Sequence, residues 1–231
     1  SAAKAYLVPA SKRPNLVVWT DCTAERVRFE GGPAVGVDVM RGGQSQTVRA
    51  RREVVVSCGA IGSPALLLRS GLGPAEDLKA LGITPVRDAP GVGRNLQEHP
   101  AAMIKRLVSV PSYNSQTSAY HKVTFGLAYL LAKRGPLSAL GGQGVAFVKT
   151  HPDLPEPDVQ FHFTPVIYGT GPDGRVRLES KPGVLIAANV CRPHSRGRVT
   201  LRDATAASSP VITHNAFDDE RDLDTLVGGL K

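Results

Sequence analysis

The residues best suited to bind a ligand lie where an apolar run turns into a helix. Residues 53–57 (EVVVS) are typical of a strand that is covered on both faces, as in a parallel sheet. The small residues Cys58, Gly59 and Ala60 follow. Glycine removes a Cβ and a helix start offers free N–H groups, so the main chain can lie close to a flat or anionic ligand. The alternative is a tight strand-to-helix turn that binds nothing.

Capping residues predict two helices after this turn. Ser63 can cap the first helix, Pro64 suits its first position, and Gly71 is typical of a left-handed C-terminal cap. A second, short helix has Pro74 at its start and Gly82 just after its end.

The histidines and cysteines indicate no metal site. No pair among the six histidines has a metal-ligand spacing such as HExxH. Cys22, Cys58 and Cys191 are odd in number, lie far apart and form no CxxC pair. This pattern argues against a disulfide scaffold and fits a reducing compartment.

Strand patterns divide the chain near residue 101. The first part, residues 1–100, has the pattern of an antiparallel meander followed by the buried strand and the helices. The second part, residues 101–231, has a helix and longer alternating strands, typical of an antiparallel sheet with one covered face. The expected strands are 15–20, 27–29, 35–40, 48–52, 53–57, 83–86, 158–166, 184–191 and 198–202, and the expected helix of the second part is 125–133.

The composition is that of an ordinary globular chain of 231 residues, with 42% hydrophobic and 21% charged residues. No run reaches the roughly 18–20 apolar residues of a membrane helix, so we expect no transmembrane span. The net charge is 28 basic minus 20 acidic residues, or +8. The basic residues are scattered and only 5% of residues are aromatic, which argues against a nucleic-acid partner.

Four segments then show a family resemblance. Residues 59–73 (GAIGSPALLLRSGLG) resemble, position by position, the second signature of the glucose-methanol-choline (GMC) family of flavin oxidoreductases. Residues 90–100 (PGVGRNLQEHP) resemble that family's PGVGxNLQDHP stretch, and residues 192–202 its RPxSRGxVxL strand pair. Residues 2–16 resemble its lead-in to the meander. The resemblance therefore spans nearly the whole chain.

The resemblance implies an α/β fold with an α+β second domain. Residues 1–100 would be a portion of a Rossmann-like FAD-binding domain, and residues 101–231 an antiparallel-sheet substrate domain, truncated at its C-terminus. Members of the family bind FAD, and most oxidise alcohols by hydride transfer to the flavin. A small primary alcohol is the expected substrate and an aldehyde the product. Oxygen, or a quinone- or dye-type acceptor, would take up the electrons.

Two parts of the family pattern are missing here. The family's GxGxxG has no match, because residues 91–96 (GVGRNL) and 71–76 (GLGPAE) each lack the last glycine. Its catalytic histidine pair would lie beyond Lys231. We therefore expect a central fragment with no catalytic residue of its own, inactive alone, whose partners are the remaining N- and C-terminal segments of the same protein.

The resemblance transfers a limited set of cofactor-binding residues. Ala24 would read the adenine through its backbone. Cys58, Gly59 and Ala60 would form the small-residue turn beside the FAD. Asn95 and His99 would lie in the segment near the flavin. Their alternatives are a plain strand residue, a small buried hydrophobe at Cys58, and a loop-capping amide at Asn95. The six positions are Ala24, Cys58, Gly59, Ala60, Asn95 and His99.

Two further residues are candidates to face the substrate. Alternation in residues 159–163 (VQFHF) places Gln160 and His162 on one face of a strand. In the family this sheet roofs the substrate cavity, but ordinary sheet-surface polar residues are the alternative.

The resemblance is strongest to choline dehydrogenase-like bacterial members, so a cytoplasmic, bacterial location is expected. Two other functions stay open: a flavin-containing hydroxynitrile lyase of the same fold, and a truncated, non-catalytic fragment. A lyase would reduce neither oxygen nor a dye, and a non-catalytic fragment would carry no flavin.

Overall fold

The computed structural model describes residues 1–138 and 142–231. The chain forms two compact units, and it passes between them three times. The first unit consists of Ser1–Leu96 and Gly197–His214, and the second of Gln97–Arg196 and Asn215–Lys231. The assignment of residues 1–100 to a cofactor domain and 101–231 to a substrate domain stays a prediction.

Strands and short helices alternate along the described residues. The strands are β1 Cys22–Phe29, β2 Ala34–Arg41, β3 Gln44–Arg49, β4 Leu72–Gly73, β5 Arg87–Asp88, β6 Ala101–Leu107, β7 Gly144–Val148, β8 Val159–Thr164, β9 Tyr168–Thr170, β10 Val176–Leu178, β11 Gly183–Val190, β12 Arg198–Thr200 and β13 Val211–Thr213. The helices are α1 Val8–Ala10, α2 Gly59–Arg69, α3 Ala75–Ala80, α4 Ala119–Ala132 and α5 Glu220–Leu230. Ala3–Leu7 forms a π-helical turn before α1, and Tyr113–Ser115 and Pro136–Ser138 form 3₁₀ turns.

The predicted meander is present, but it starts later than the sequence indicates. Strands β1, β2 and β3 pair in antiparallel order. The prediction of a strand at residues 15–20 is wrong, because the first pair of the ladder joins Cys22 to Arg41, the last residue of β2. A strand needs a hydrogen-bonding neighbour along its length. The apolar side chains of residues 16–19 are consequently exposed.

The predicted buried strand at residues 53–57 is also not formed. No described strand pairs with it, and Val55 is 76% exposed. The parallel pairing that the structure describes joins β4 to β5 over two residues each. The strand expected at 83–86 forms instead at Arg87–Asp88, because these are the two residues that pair with β4.

Helix α2 begins five residues before the predicted start. Cys58 is its N-cap residue, and the Ser63 hydroxyl accepts a hydrogen bond from the Cys58 N–H at 2.9 Å. Pro64 therefore lies inside the helix instead of at its first position. The predicted end is confirmed, because Gly71 has a φ of +85° just after the last turn.

The second unit is built on a four-stranded sheet in the order β6-β11-β8-β7, with antiparallel pairing throughout. This confirms the predicted antiparallel sheet for residues 158–166 and 184–191. The strand expected at 198–202 is wrongly placed in that sheet, because it forms β12, which pairs with β13 in the first unit. One face packs against α5, where Val159, Ala188, Val190 and Leu226 form a buried cluster. The predicted helix at 125–133 is α4, which starts earlier because Ser118 caps it.

Candidate functional site

The small-residue turn before α2 is open in the structure. Cys58, Gly59 and Ala60 are all exposed. Gly59 has a φ of +79°, and no atom lies within 4 Å of the position that its Cβ would take. A positive φ at this point turns the backbone in a way that residues with a Cβ rarely adopt. The turn therefore presents main chain, unobstructed by side chains, at the N-terminus of a helix.

This arrangement meets the condition for binding a large planar or anionic group. The first N–H groups of α2 have no partner within the helix and carry partial positive charge. Bulky side chains do not fill the space beside Gly59. Cys58 lies close to α2, since a Cβ on Gly62 would approach the Cys58 Cβ to 2.9 Å. The residues present fit a nucleotide-type ligand lying against the main chain.

Ala24 lies in β1 opposite Val39, at the edge of a β-bulge. The register passes from Ala24–Val39 to Arg26–Asp38, so Glu25 has no partner on β2. A bulge interrupts the ladder and redirects the backbone, and bulges are common next to binding sites. The bulge therefore lies next to Ala24, the residue that was predicted to contact the adenine through its backbone.

Helix α2 connects this strand to the open turn. At its C-terminal end, Arg69 Nε donates to the Glu25 carbonyl at 3.0 Å. The hydroxyl of the next residue, Ser70, accepts from the Val27 N–H at 2.8 Å and donates to the Leu66 carbonyl. The open turn lies at the other end of this 11-residue helix, roughly 16 Å away along the axis. Ala24 and the turn are therefore held by one helix but are not adjacent.

Two of the motif segments noted in the sequence pair with each other. The Val199 N–H donates to the Gly93 carbonyl at 2.6 Å, and Leu96 and Gly197 exchange two backbone hydrogen bonds of 3.0 and 2.7 Å. A Cβ on Gly93 would overlap the Val199 carbonyl oxygen, and one on Gly197 would overlap that of Thr213. Gly93 and Gly197 are therefore required where the backbone of another segment comes close. The glycines in both motifs could have indicated close backbone contacts, but the sequence analysis did not pair the two segments.

Asn95 belongs to the first unit and His99 to the second. Asn95 is exposed and has a φ of +60°, a conformation that asparagine tolerates better than most residues. The His99 N–H donates to the Glu98 carboxylate, and its carbonyl accepts from Asn189 Nδ2 at 3.4 Å. Their proposed proximity to a flavin stays a prediction.

Gln160 and His162 share the sheet face opposite α5. In the register Gln160 lies across from Asn189 on one side and Phe147 on the other, and His162 lies across from Ala187. The Asn189 Oδ1 atom is buried and accepts no hydrogen bond within the described residues. The predicted alternation is confirmed, and the face carries three polar side chains in neighbouring positions.

A buried carboxylate that sequence reasoning missed holds the RPHSRG segment. Asp222, in the first turn of α5, is 1% exposed. Its two oxygens accept the N–H groups of His194 at 2.6 Å and Ser195 at 2.8 Å. Burial alone would raise the pKa of Asp222, but the hydrogen bonds from Ser195 and His194 outweigh it and lower the pKa.

A second buried carboxylate, Asp38, was also missed. It accepts hydrogen bonds of 2.7 Å from Arg26 Nε, Arg28 Nε and Thr47 Oγ1. The three side chains line a cavity of about 1020 Å³ in the first unit, which contains none of the predicted cofactor residues. Burial alone would raise the pKa of Asp38, but the hydrogen bonds from Arg28, Arg26 and Thr47 lower it to about 2.

The Asp38 cluster makes a testable contribution to acid stability. A lowered pKa in the folded state adds stability that is complete above the unfolded-state pKa of about 4 and is lost as the pH falls through about 2. Because both arginine side chains are about half exposed, we expect only about 1–2 kcal/mol. Urea unfolding between pH 2 and pH 6 should show this loss.

Asp38→Asn should remove the loss of stability at low pH. Asp77→Asn, at an exposed helix position, should show the same dependence of stability on pH as the parent protein. An Asp38→Asn profile as steep as that of the parent protein would contradict this assignment.

Comparisons with known proteins identify relatives of this chain. The model of the GMC oxidoreductase family matches residues 1–101. Oxygen-dependent choline dehydrogenase from Brucella canis is 40% identical over 223 residues, which cover 96% of this chain and 40% of that protein. The enzyme of the same description from Sinorhizobium medicae is 38% identical with the same coverage. The chain thus spans about 40% of the length of these curated relatives.

A solved structure has the same fold. Formate oxidase from Aspergillus oryzae, in a variant studied for its effect on FAD modification, matches with a TM-score of 0.85. The match covers 96% of this chain and 43% of that chain, at 22% sequence identity. This likeness confirms the predicted fold class, α/β with an α+β second part.

Proposed function

This chain belongs to the GMC oxidoreductase family, whose members are FAD-dependent oxidoreductases, and from that premise we propose that it forms the central part of such an enzyme. The reaction would be oxidation of the CH–OH group of a small primary alcohol to an aldehyde. The single observation that carries the proposal is the open main-chain turn at Cys58–Ala60, which lies at the start of the family's signature helix.

The chain's own residues would hold the FAD through main chain. The N–H groups at the start of α2 suit a negatively charged group, and Gly59 lets the ligand approach without a steric conflict. The backbone at Ala24, beside the bulge in β1, would read the adenine edge. Asn95 and His99 would lie near the flavin ring. When bound, the flavin supplies the hydride acceptor, and the protein supplies position and electrostatics.

The sheet face that carries Gln160 and His162 would contact the alcohol. Amide and imidazole groups can hydrogen-bond a hydroxyl, and Phe147 beside Gln160 offers apolar surface for the carbon chain. No side chain of this chain is assigned the role of base. The proton from the substrate hydroxyl would go to a residue that other segments of the protein contribute.

The proposal is tested on the full-length protein that contains this chain. Anaerobic mixing with choline or another small primary alcohol should bleach the flavin absorption, and an added dye should be reduced with turnover. A yellow protein that turns over a cyanohydrin but reduces neither flavin nor dye would instead be a lyase. A colourless protein that releases no flavin on denaturation would overturn the proposal.

Substitution of His162 tests the substrate face. His162→Ala should lower kcat/KM for the alcohol about tenfold, mainly through KM, because one hydrogen bond to the hydroxyl is lost. His151→Ala is the matched control, since the His151 side chain is exposed and lies outside the sheet. Steady-state kinetics with a dye acceptor provide the measurement. If the two variants have the same kcat/KM and KM, His162 does not contact the substrate.

A further inference from the structure

Asn189 carries a buried side-chain oxygen without a hydrogen-bond donor. Its Oδ1 atom accepts no hydrogen bond from any residue that the structure describes. The Nδ2 atom of the same amide donates to the His99 carbonyl at a long 3.4 Å. Turning the amide over would bring two oxygens face to face at His99, so the unpaired atom is the oxygen. A buried acceptor left unpaired is costly and uncommon in proteins, and we therefore expect a donor close by.

The burial of this oxygen limits where its donor can come from. Atoms of this chain already cover Oδ1, so a substrate or another segment of the protein would reach it only by displacing them. The donor is therefore a side chain that already lies beside Asn189 in its own sheet. Asn189 belongs to β11, which lies between β6 and β8. Its partner on β6 is Ala101, which has no side-chain donor, and its partner on β8 is Gln160.

Gln160 has both a donor and the reach to use it. Directly opposed residues on antiparallel strands have Cβ atoms about 4.5–5.5 Å apart, and the Nε2 atom of a glutamine carries two hydrogens. The neighbour of Gln160 on the other side is Phe147, which offers no polar partner. His162 lies at the next pair of the same face, across from Ala187, and is further from Asn189. Rotation of the Gln160 side chain alone brings Nε2 to Asn189 Oδ1.

We propose that Asn189 is a positioning residue that orients the Gln160 amide towards the alcohol, an inference that rests on the function proposed above. A free amide can present either its oxygen or its nitrogen to a ligand. With one Nε2 hydrogen on Asn189, the other is held towards the open face and donates to the hydroxyl oxygen of the alcohol. The hydroxyl proton then stays available to the base, and the donor stabilises the negative charge that develops on the oxygen.

A double-mutant cycle in the full-length protein tests this role. Gln160→Ala should lower kcat for the alcohol about tenfold with little change in KM, because the lost hydrogen bond is strongest in the transition state. Asn189→Ala should lower kcat about fivefold in the parent protein, but less than about twofold in the Gln160→Ala background. In the matched control cycle with His162→Ala, Asn189→Ala should keep its full effect, because His162 does not depend on Asn189 for its orientation.

Unfolding measurements separate the hydrogen bond from the reaction. Gln160→Ala leaves Asn189 Oδ1 buried without a donor, so Asn189→Ala should lower the free energy of unfolding less in that background than in the parent protein. Urea unfolding measures this without any substrate. An Asn189→Ala effect of equal size in both backgrounds, on kcat or on unfolding, would overturn the proposal, since Oδ1 would then have another donor. Coupled unfolding in a protein that oxidises no alcohol would leave the hydrogen bond but overturn its role, together with the proposed function.

Discussion

Replacing Gly93 by alanine is expected to destabilise the first unit by about 3 kcal/mol or more. Gly93 has a φ of +79°, which costs a residue with a Cβ about 1–2 kcal/mol. The new methyl group would also overlap the carbonyl oxygen of Val199, a rigid backbone atom held by the pairing of the two segments. Relieving such an overlap costs about 1–3 kcal/mol more. Urea unfolding followed by Trp19 fluorescence measures the effect.

The same motif provides the control for this experiment. Gly91 lies two residues earlier, is exposed and has no atom within 4 Å of its Cβ position. Gly91→Ala should therefore change the free energy of unfolding by less than about 0.5 kcal/mol. If the two variants unfold at the same urea concentration, Gly93 is not required by the contact with Val199.

Asp222→Ala should destabilise the second unit by about 2–3 kcal/mol. The substitution removes a buried carboxylate and leaves two backbone N–H groups, at His194 and Ser195, without their acceptor. Hydrogen bonds to charged groups contribute about 1.5–3 kcal/mol each, and water would replace part of that loss. Urea unfolding followed by far-UV circular dichroism, together with limited proteolysis near residue 195, measures the effect.

Asp224→Ala is the matched control, since Asp224 lies on the same helix but is exposed. Asp222→Asn should fall between the two, because an amide keeps one oxygen acceptor in place. An Asp222→Ala protein as stable as the Asp224→Ala protein would show that the RPHSRG segment is held by other contacts.

The two long central strands of the second unit were predicted from the sequence, and each has its partners within the chain. Residues 158–166 and 184–191 correspond to β8 and β11, which pair with each other and bury alternate side chains against α5. Residues 15–20 and 53–57 have equally apolar patterns, yet the structure describes no strand alongside them. An apolar pattern reports a preference for burial and cannot say whether a neighbouring strand is present.

The candidate site was predicted in part. The open turn at Cys58–Ala60 follows from local chemistry, because small residues and a helix start are visible in the sequence. The start of α2 at Gly59 was missed, since the Ser63 hydroxyl caps the Cys58 N–H from inside the helix. The pairing of Gly93 with Val199 joins residues more than a hundred positions apart, and no local pattern specifies such a partner.

The path of the chain between its two units constrains how it is made on the ribosome. The first unit takes β12 and β13 from residues 197–214, after the 100 residues Gln97–Arg196 that belong to the other unit. The nascent N-terminal segment therefore emerges without the strand that closes over Gly93. Folding from the N-terminus onward, the usual order during translation, must wait at this unit until the later strands have left the exit tunnel.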